Sequence, residues 1–277
     1  MSDFSTYGGI QRIDDEGTVT GSTRPTQVSC GANDSKGSYT QITASTPFDA
    51  TGVVITVQTQ ETNSMAFLVD IAIGAASSEK IIIPNLACGD LQGGGSSGVA
   101  TYIIPISIPT GTRIAARGQT STFTSENVEV GVHLLSGNFL SATPLSRVED
   151  CGTETGDTSL TKIDAGASAN TKGSYGQLIS STSFDYKWLC VRIAGSDETG
   201  GSSDTYWLAD IAIGAASSEK VIIPNLYLFC PSFSGVESKT LCLPVSIPSG
   251  TRISARCQCN VTTAGDRKLD VAVYGVG

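Results

Sequence analysis

Apolar and polar residues alternate with a period of two in short runs along the whole chain. Val53, Ile55 and Val57 interleave with Val54, Thr56 and Gln58, and Phe67, Val69, Ile71 and Ile73 interleave with Leu68, Asp70 and Ala72. Tyr102, Ile104, Ile106 and Ile108 form a third run, and Val128, Val130, Val132 and Leu134 a fourth. Such alternation marks half-buried strands, and seven or eight of them fit between Ser38 and Leu135. No segment of helical length carries a 3.6-residue period that could supply parallel crossovers, so the expected arrangement is an antiparallel sandwich or jelly roll. Pro105 and Pro244 cannot donate to a ladder, which places their strands at a sheet edge or a bulge.

Self-comparison then shows that the pattern is written twice. DIAIGAASSEK runs from Asp70 to Lys80 and recurs letter for letter from Asp210 to Lys220, followed by IIIPNL and VIIPNL. ISIPTGTRIAAR ending at Arg117 answers to VSIPSGTRISAR ending at Arg256, and KGSY occurs at Lys36 and again at Lys172. Arg12 answers to Arg147 at an offset of 135, which drifts to about 141 through small loop insertions such as the one after Ala194. The period is far too long for a solenoid unit, so each copy is a whole domain. The expected organisation is an N-terminal arm (1–30), a first β-sandwich (31–138), a linker or arm repeating the N-terminal segment (139–165), and a second β-sandwich (166–277). Each arm is equally readable as a strand folded onto its own domain. The fold class is thus all-β, with two tandem antiparallel jelly-roll-like sandwiches produced by internal duplication.

Composition agrees with strands and tight turns. The chain has 277 residues, of which 31 are Gly, 35 Ser and 31 Thr, while charged residues reach only 16%. A net charge of -9 argues against nucleic acid or an anionic membrane as a partner, since both call for clustered Lys and Arg. The first residues show neither the basic region nor the apolar core of a secretory signal.

Candidate chemistry is sparse. His133 is the sole histidine and has Tyr274 as its counterpart, which excludes a duplicated histidine-dependent site. Phosphate-binding glycine signatures, EF-hand spacing and a nucleophile elbow are absent, and no cofactor or metal site is expected. Asp70 with Glu79, and Asp210 with Glu219, are the available carboxylate pairs for glycoside hydrolysis. The competing reading makes them strand-end residues paired with nearby basic groups. Arg113 with Arg117, and Arg252 with Arg256, share one strand face and are placed to meet Asp70 and Asp210 as ion pairs, or a carboxylate on a neighbouring subunit. Gly74 and Gly214 suit positive φ, and Asn85 and Asn225 suit turns.

The eight cysteines, Cys30, Cys88, Cys151, Cys190, Cys230, Cys242, Cys257 and Cys259, behave in the opposite way to the motifs. None has a cysteine at its repeat position: Cys190 stands opposite Val54, Cys242 opposite Ile103 and Cys257 opposite Gly118. Cys190 and Cys242 fall on the phase opposite to the apolar face. Zinc is disfavoured by the spacing. They are either inert thiols or disulfides formed within or between subunits outside a reducing cell.

The DIAIG, GxxxSE(K/Q)xIIPNL and IPxGTRIxAR segments, with a closing V-x-V-x-V-Y-G-x-G strand, resemble accessory structural proteins of tailed bacteriophage virions across both halves of the chain. That resemblance implies a non-enzymatic capsid-decoration, collar, neck, spike or tail component. Such a protein is made in the host cytoplasm, works on the extracellular particle, and forms homo-oligomers with other virion proteins as partners. The alternative it implies is a carbohydrate- or receptor-binding spike, in which exposed Trp188, Tyr206 and Trp207 stack on sugar rings. A depolymerase is the third possibility.

Overall fold

The computed structural model describes residues 10–17, 24–59, 66–89, 99–122, 125–137, 144–196, 204–231 and 238–277. The expected boundary at 138–143, the glycine-rich loop 90–98, most of the insertion after Ala194 and parts of the first arm lie outside the described residues. Among the described residues every regular element is a strand, and no helix is long and apolar enough to cross a membrane.

The first half contains β1 (Ile10–Glu16), β2 (Thr26–Gly31), β3 (Thr40–Thr43), β4 (Gly52–Thr59), β5 (Ala66–Ile73), β6 (Lys80–Gly89), β7 (Val99–Ile104), β8 (Ile114–Thr120) and β9 (Asn127–Gly137). The second contains β10 (Val148–Cys151), β11 (Thr153–Glu154), β12 (Ser159–Asp164), β13 (Gly176–Ile179), β14 (Tyr186–Ser196) and β15 (Thr205–Ile213). It continues with β16 (Lys220–Cys230), β17 (Ser238–Ile247), β18 (Ile253–Cys259) and β19 (Lys268–Val276).

Strand order repeats between the halves. One layer runs β3-β8-β5-β6 in the first half and β13-β18-β15-β16 in the second; the other runs β2-β9-β4-β7 and β12-β19-β14-β17. The chain is therefore two all-β sandwiches of the same topology. Nearly all pairing is antiparallel. The exception joins β2 to β8 in parallel over Cys30–Gly118 and Gly31–Gln119, which links the two layers of the first sandwich into one sheet. The alternating positions face inward as expected: Val53, Ile55 and Val57 on β4 and Leu189, Val191 and Ile193 on β14 are all at most 1% exposed. The strand that Pro105 follows, β7, and the strand that contains Pro244, β17, both end their sheets.

The described parts of the segments read as arms include strands of their own halves. β1 pairs with β9, with Ile13 opposite Leu135 and Asp15 opposite His133. β10 pairs with β19 in the equivalent register, with Val148 opposite Val276 and Asp150 opposite Tyr274. Neither reaches away from the body of the molecule.

Candidate functional site

All the repeated motifs converge on one cluster in each sandwich. Asp70, on the outer face of β5, is 2% exposed, yet it lies in the strand alternation where solvent would be expected. Arg117 faces it across the β5–β8 ladder. Asp70 Oδ2 accepts from Arg117 Nε at 3.0 Å, while Oδ1 accepts from Lys36 Nζ and from the Asn85 backbone N–H, each at 3.0 Å. Lys36 Nζ also donates to Leu68 O at 3.0 Å, and Arg117 lies 4.8 Å over the Tyr39 ring. Asn85 reaches the carboxylate because its φ of 50° forms a bulge that turns its N–H inward; the register of β5 and β6 slips at that point.

The second sandwich reproduces this arrangement atom for atom. Asp210 Oδ2 accepts from Arg256 Nε at 2.9 Å, and Oδ1 from Lys172 Nζ at 2.9 Å and Asn225 N–H at 2.9 Å. Arg256 stacks 4.7 Å over Tyr175, and Asn225 has φ 49°. Burial pushes the Asp210 carboxyl up, but the Asn225 N–H, Lys172 and Arg256 outweigh it and hold the group below the ordinary aspartate range. Burial pushes the Lys36 ammonium down, against the opposing pull of Asp70.

Beside each cluster a second ion pair locks a turn. Arg113 Nη1 donates to Glu79 Oε1 at 2.9 Å and to Gly74 O at 3.1 Å, while its Nε donates to Gln41 at 3.0 Å. Arg252 does the same with Glu219, Gly214 and Gln177. Gly74 and Gly214 sit at φ 113° and 111°, where a side chain would be strained. Asp70 and Glu79 are thus each neutralised by their own basic partners, and so are Asp210 and Glu219. The buried aspartates have their acceptor sites occupied, so neither pair offers a poised acid and base. Arg113, Arg117, Arg252 and Arg256 all pair within their own sandwich. Lys36, Lys172, Tyr39 and Tyr175 complete the clusters beyond the sequence-predicted residues, and the identity of the two KGSY segments is their signal in the sequence.

The aromatic candidates do not form an exposed group. Trp207 is 1% exposed, because it takes the inward position held by Phe67 in the first copy. Trp188 is 9% exposed because the first sandwich covers it. Only Tyr206 is open, at 44%, stacked on Phe229 with ring centroids 4.9 Å apart.

Among the described residues one disulfide is present, Cys190–Cys242, joining residues directly opposite on β14 and β17. Val54 and Ile103, their repeat counterparts, are directly opposite on β4 and β7. The bond is therefore a cross-strand staple within one chain, not a link between subunits. Cys30, Cys88, Cys151, Cys257 and Cys259 are buried and Cys230 is half-buried, all six lying outside the disulfide. Burial raises the Cys30 and Cys151 thiols to about 12 and pushes Cys88, Cys257 and Cys259 up as well. Thiolate, the reactive form, is thereby suppressed. Among the described residues no group of three or more His, Cys, Asp or Glu is arranged to hold a metal ion.

Sequence periodicity gave no sign of the seam between the sandwiches. Strands β6 and β7 are the open edges of the first sandwich, and side chains from the outer face of the second cap both. Tyr274 Oη accepts from the Ala87 N–H at 3.0 Å and donates to Asn85 O at 2.8 Å; Tyr102 Oη donates to Ala87 O at 2.6 Å. The Tyr102 and Tyr274 rings meet edge to face at 5.3 Å. On β7, Trp188 Nε1–H donates to Ile103 O at 3.0 Å, and the Ile103 N–H donates to Cys242 Sγ at 3.5 Å. Asn85 Nδ2 donates to Asp150 at 3.0 Å, and Gln119 Nε2 donates to Thr155 O and Thr158 Oγ1 at 2.8 Å each. Ser107 N–H donates to Leu145 O at 2.8 Å, and Leu145, Leu160, Trp188, Cys190 and Tyr274 belong to the core cluster of the first sandwich. Cys190 and Cys242 do point away from their own core, but the face they occupy is covered by the first sandwich.

No protein-family model matches the chain, and no curated protein matches it. Among solved structures, the chain is similar to the CBM22-1-CBM22-2 tandem domain of Paenibacillus barcinonensis Xyn10C, at 10% identity over 97% of this chain and 98% of that one, with a TM-score of 0.28. It is also similar to a chain of infectious bursal disease virus Gx strain, at 11% identity over 99% and 76% with a TM-score of 0.30. A third is Broad Bean Stain Virus, at 9% identity over 88% and 90% with a TM-score of 0.28. At these TM-scores the backbones do not superpose as wholes, and the likenesses carry no weight for function.

Proposed function

We propose that the protein is a non-enzymatic structural component of a tailed-phage virion, a decoration, collar, neck or tail accessory that assembles with other virion proteins on a symmetric particle. One observation carries this reading. Among the charged residues that the two copies keep identical, Lys36, Asp70, Glu79, Arg113 and Arg117 with their counterparts are engaged in holding each sandwich's own strands and turns together. A duplicated catalytic site would instead keep an unengaged acid, base or nucleophile in both copies. What the duplication preserves is scaffold. The motif resemblance supplies the setting, and two linked sandwiches suit it because binding through one raises the effective concentration of the other. Mass spectrometry of salt-washed particles tests the reading. The chain should be present in a fixed stoichiometry that matches a symmetry axis; its absence from particles that still carry their other minor proteins would end the proposal.

A second reading, glycan or receptor binding, is favoured by the aromatic strip on the second sandwich, where the stacked Tyr206 and Phe229 lie beside Tyr227, itself 49% exposed. Saturable binding on a glycan array that disappears in Tyr206→Ala would support it; a flat response would remove it.

A further inference from the structure

The seam inside the chain is heterologous: an open edge of one sandwich receives a sheet face of its own duplicate. Because the two sandwiches share one topology, the second sandwich carries the same open edge, β16 with β17, and the first carries the same face, formed by β1, β9, β4 and β7. Both are left exposed. Leu241, Leu243 and Val245 on β17 are half-buried, whereas their counterparts Tyr102, Ile104 and Ile106, at the sealed edge, are 0%, 0% and 1% exposed. On the face, Ile10 and Ile13 are 41% and 57% exposed. Their counterparts Leu145 and Val148 pack into the core of the preceding sandwich, with Leu145 only 5% exposed. Seven large apolar side chains are exposed among the described residues. Ile10, Ile13, Val99 and Ile103 lie on this face, and Tyr206 and Tyr227 lie beside the open edge, so six of the seven mark these two surfaces.

The residues also match as partners. Asn85 donates to Asp150 across the internal seam, and the corresponding pair, Asn225 with Asp15, keeps both residue types. Ala87 receives the large Tyr274; the corresponding pair is large Tyr227 with smaller His133, so bulk is transposed and not doubled. Trp188, which donates to Ile103 O across the internal seam, is replaced by Gly52, which leaves room on the side of the incoming edge that carries Cys242, the counterpart of Ile103.

We propose that this chain associates head to tail with further copies of itself, the β1–β9–β4–β7 face of one copy closing over the β16/β17 edge of the next and repeating between chains the seam that joins the sandwiches within one. A heterologous contact of this kind closes into a ring or continues as a filament. The inference stands on the internal seam and is independent of where the protein works.

Two full-length variants test it. Ile13→Arg blocks the face, and Tyr227→Arg with Ser246→Arg blocks the edge; all three positions are exposed, and circular dichroism would verify folding. In mass photometry and sedimentation velocity, the unaltered chain should grow beyond dimer with concentration, and each variant alone should remain at 28.6 kDa. An equimolar mixture should form a one-to-one dimer and stop there, because only one intact face and one intact edge remain. An unaltered chain that stays monomeric at the highest soluble concentration would overturn the proposal. So would a mixture that stays monomeric while the unaltered chain assembles, since that outcome belongs to a self-complementary contact elsewhere.

Discussion

Cys257 fills in the second sandwich the space that Cys30 fills in the first, although the two thiols come from different strands. Cys30 Sγ lies 3.8 Å from Val28 O, and Cys257 Sγ lies 3.3 Å from Ile163 O, the equivalent carbonyl. Opposite Cys30 stands Gly118, and in the second sandwich the pair is transposed to Ala165 and Cys257. A methyl group on Gly118 would come within 2.4 Å of Cys30 Sγ. Gly118→Ala should therefore cost about 1–3 kcal/mol by overpacking. Cys30→Ala/Gly118→Cys, the arrangement of the other copy, should recover most of that cost. A double-mutant cycle by urea denaturation checks this; additive losses would show that the two positions do not share one space.

The cross-strand staple gives a chemical count. Denatured, unreduced protein should expose six thiols to alkylation, and eight after reduction. In the native state the five buried thiols should react orders of magnitude more slowly than an exposed cysteine. Closing a loop with a sequence separation of 52 contributes about 4 kcal/mol in the chain-entropy account, so reductant should lower the thermal midpoint. Cys190→Val/Cys242→Ile, which copies the pair from the first sandwich, should abolish that sensitivity to reductant and still fold. Eight reactive thiols without reductant would contradict the intrachain bond.

Removing Asp70 leaves Lys36 buried beside a backbone carbonyl with no counter-charge. Asp70→Ala should cost about 3–5 kcal/mol. Lys36→Met with Asp70→Leu, which removes both charges, should cost less than the sum of the single changes. Guanidinium denaturation of the four proteins measures the coupling, and additivity would mean that the cluster does not act as a unit.

Acid should weaken the fold in a defined window. The Asp210, Glu79 and Glu219 carboxyls are held below their ordinary values against the opposing effect of desolvation, Asp210 by Asn225, Lys172 and Arg256, and the glutamates by their own backbone N–H groups and by Arg113 or Arg252. A depressed folded-state pKa contributes stability that is complete above the unfolded value, about 4, and is lost as pH falls through the folded value. The denaturation midpoint should be level from pH 8 to 5 and fall below about pH 4. A midpoint that rises on acidification would reverse the sign of these contributions.

The strands were legible in the sequence because each inner face repeats with period two, and the duplication was legible because whole motifs recur. Asp70 and Arg117 were legible as a pair, since their strand phases coincide. The disulfide partner of Cys190 was also encoded, in the fact that Val54 and Ile103 are cross-strand neighbours, but this emerges only once β4 and β7 are known to be adjacent. Trp188 was misread as exposed because a strand face covered by another domain has the same alternation as one covered by water. The change from Gly52 and His133 to Trp188 and Tyr274 was the one trace of that covering, two large side chains appearing on one face in a single copy. The apparent arms lack alternation because β1 buries none of its residues and β10, four residues long, buries only Cys151.

Residue-resolved amide hydrogen exchange of the intact chain, at a concentration where it is monomeric, tests most directly whether one sandwich's open edges are sealed by the other while an identical pair is left over. The amides of Ala87 and Ile103, which donate to Tyr274 and Cys242, should be protected like core-strand amides. Their counterparts Tyr227 and Cys242 should exchange far faster, and should gain protection only as concentration rises. Equal protection of all four amides in the monomer, or rapid exchange at Ala87 and Ile103, would contradict the account.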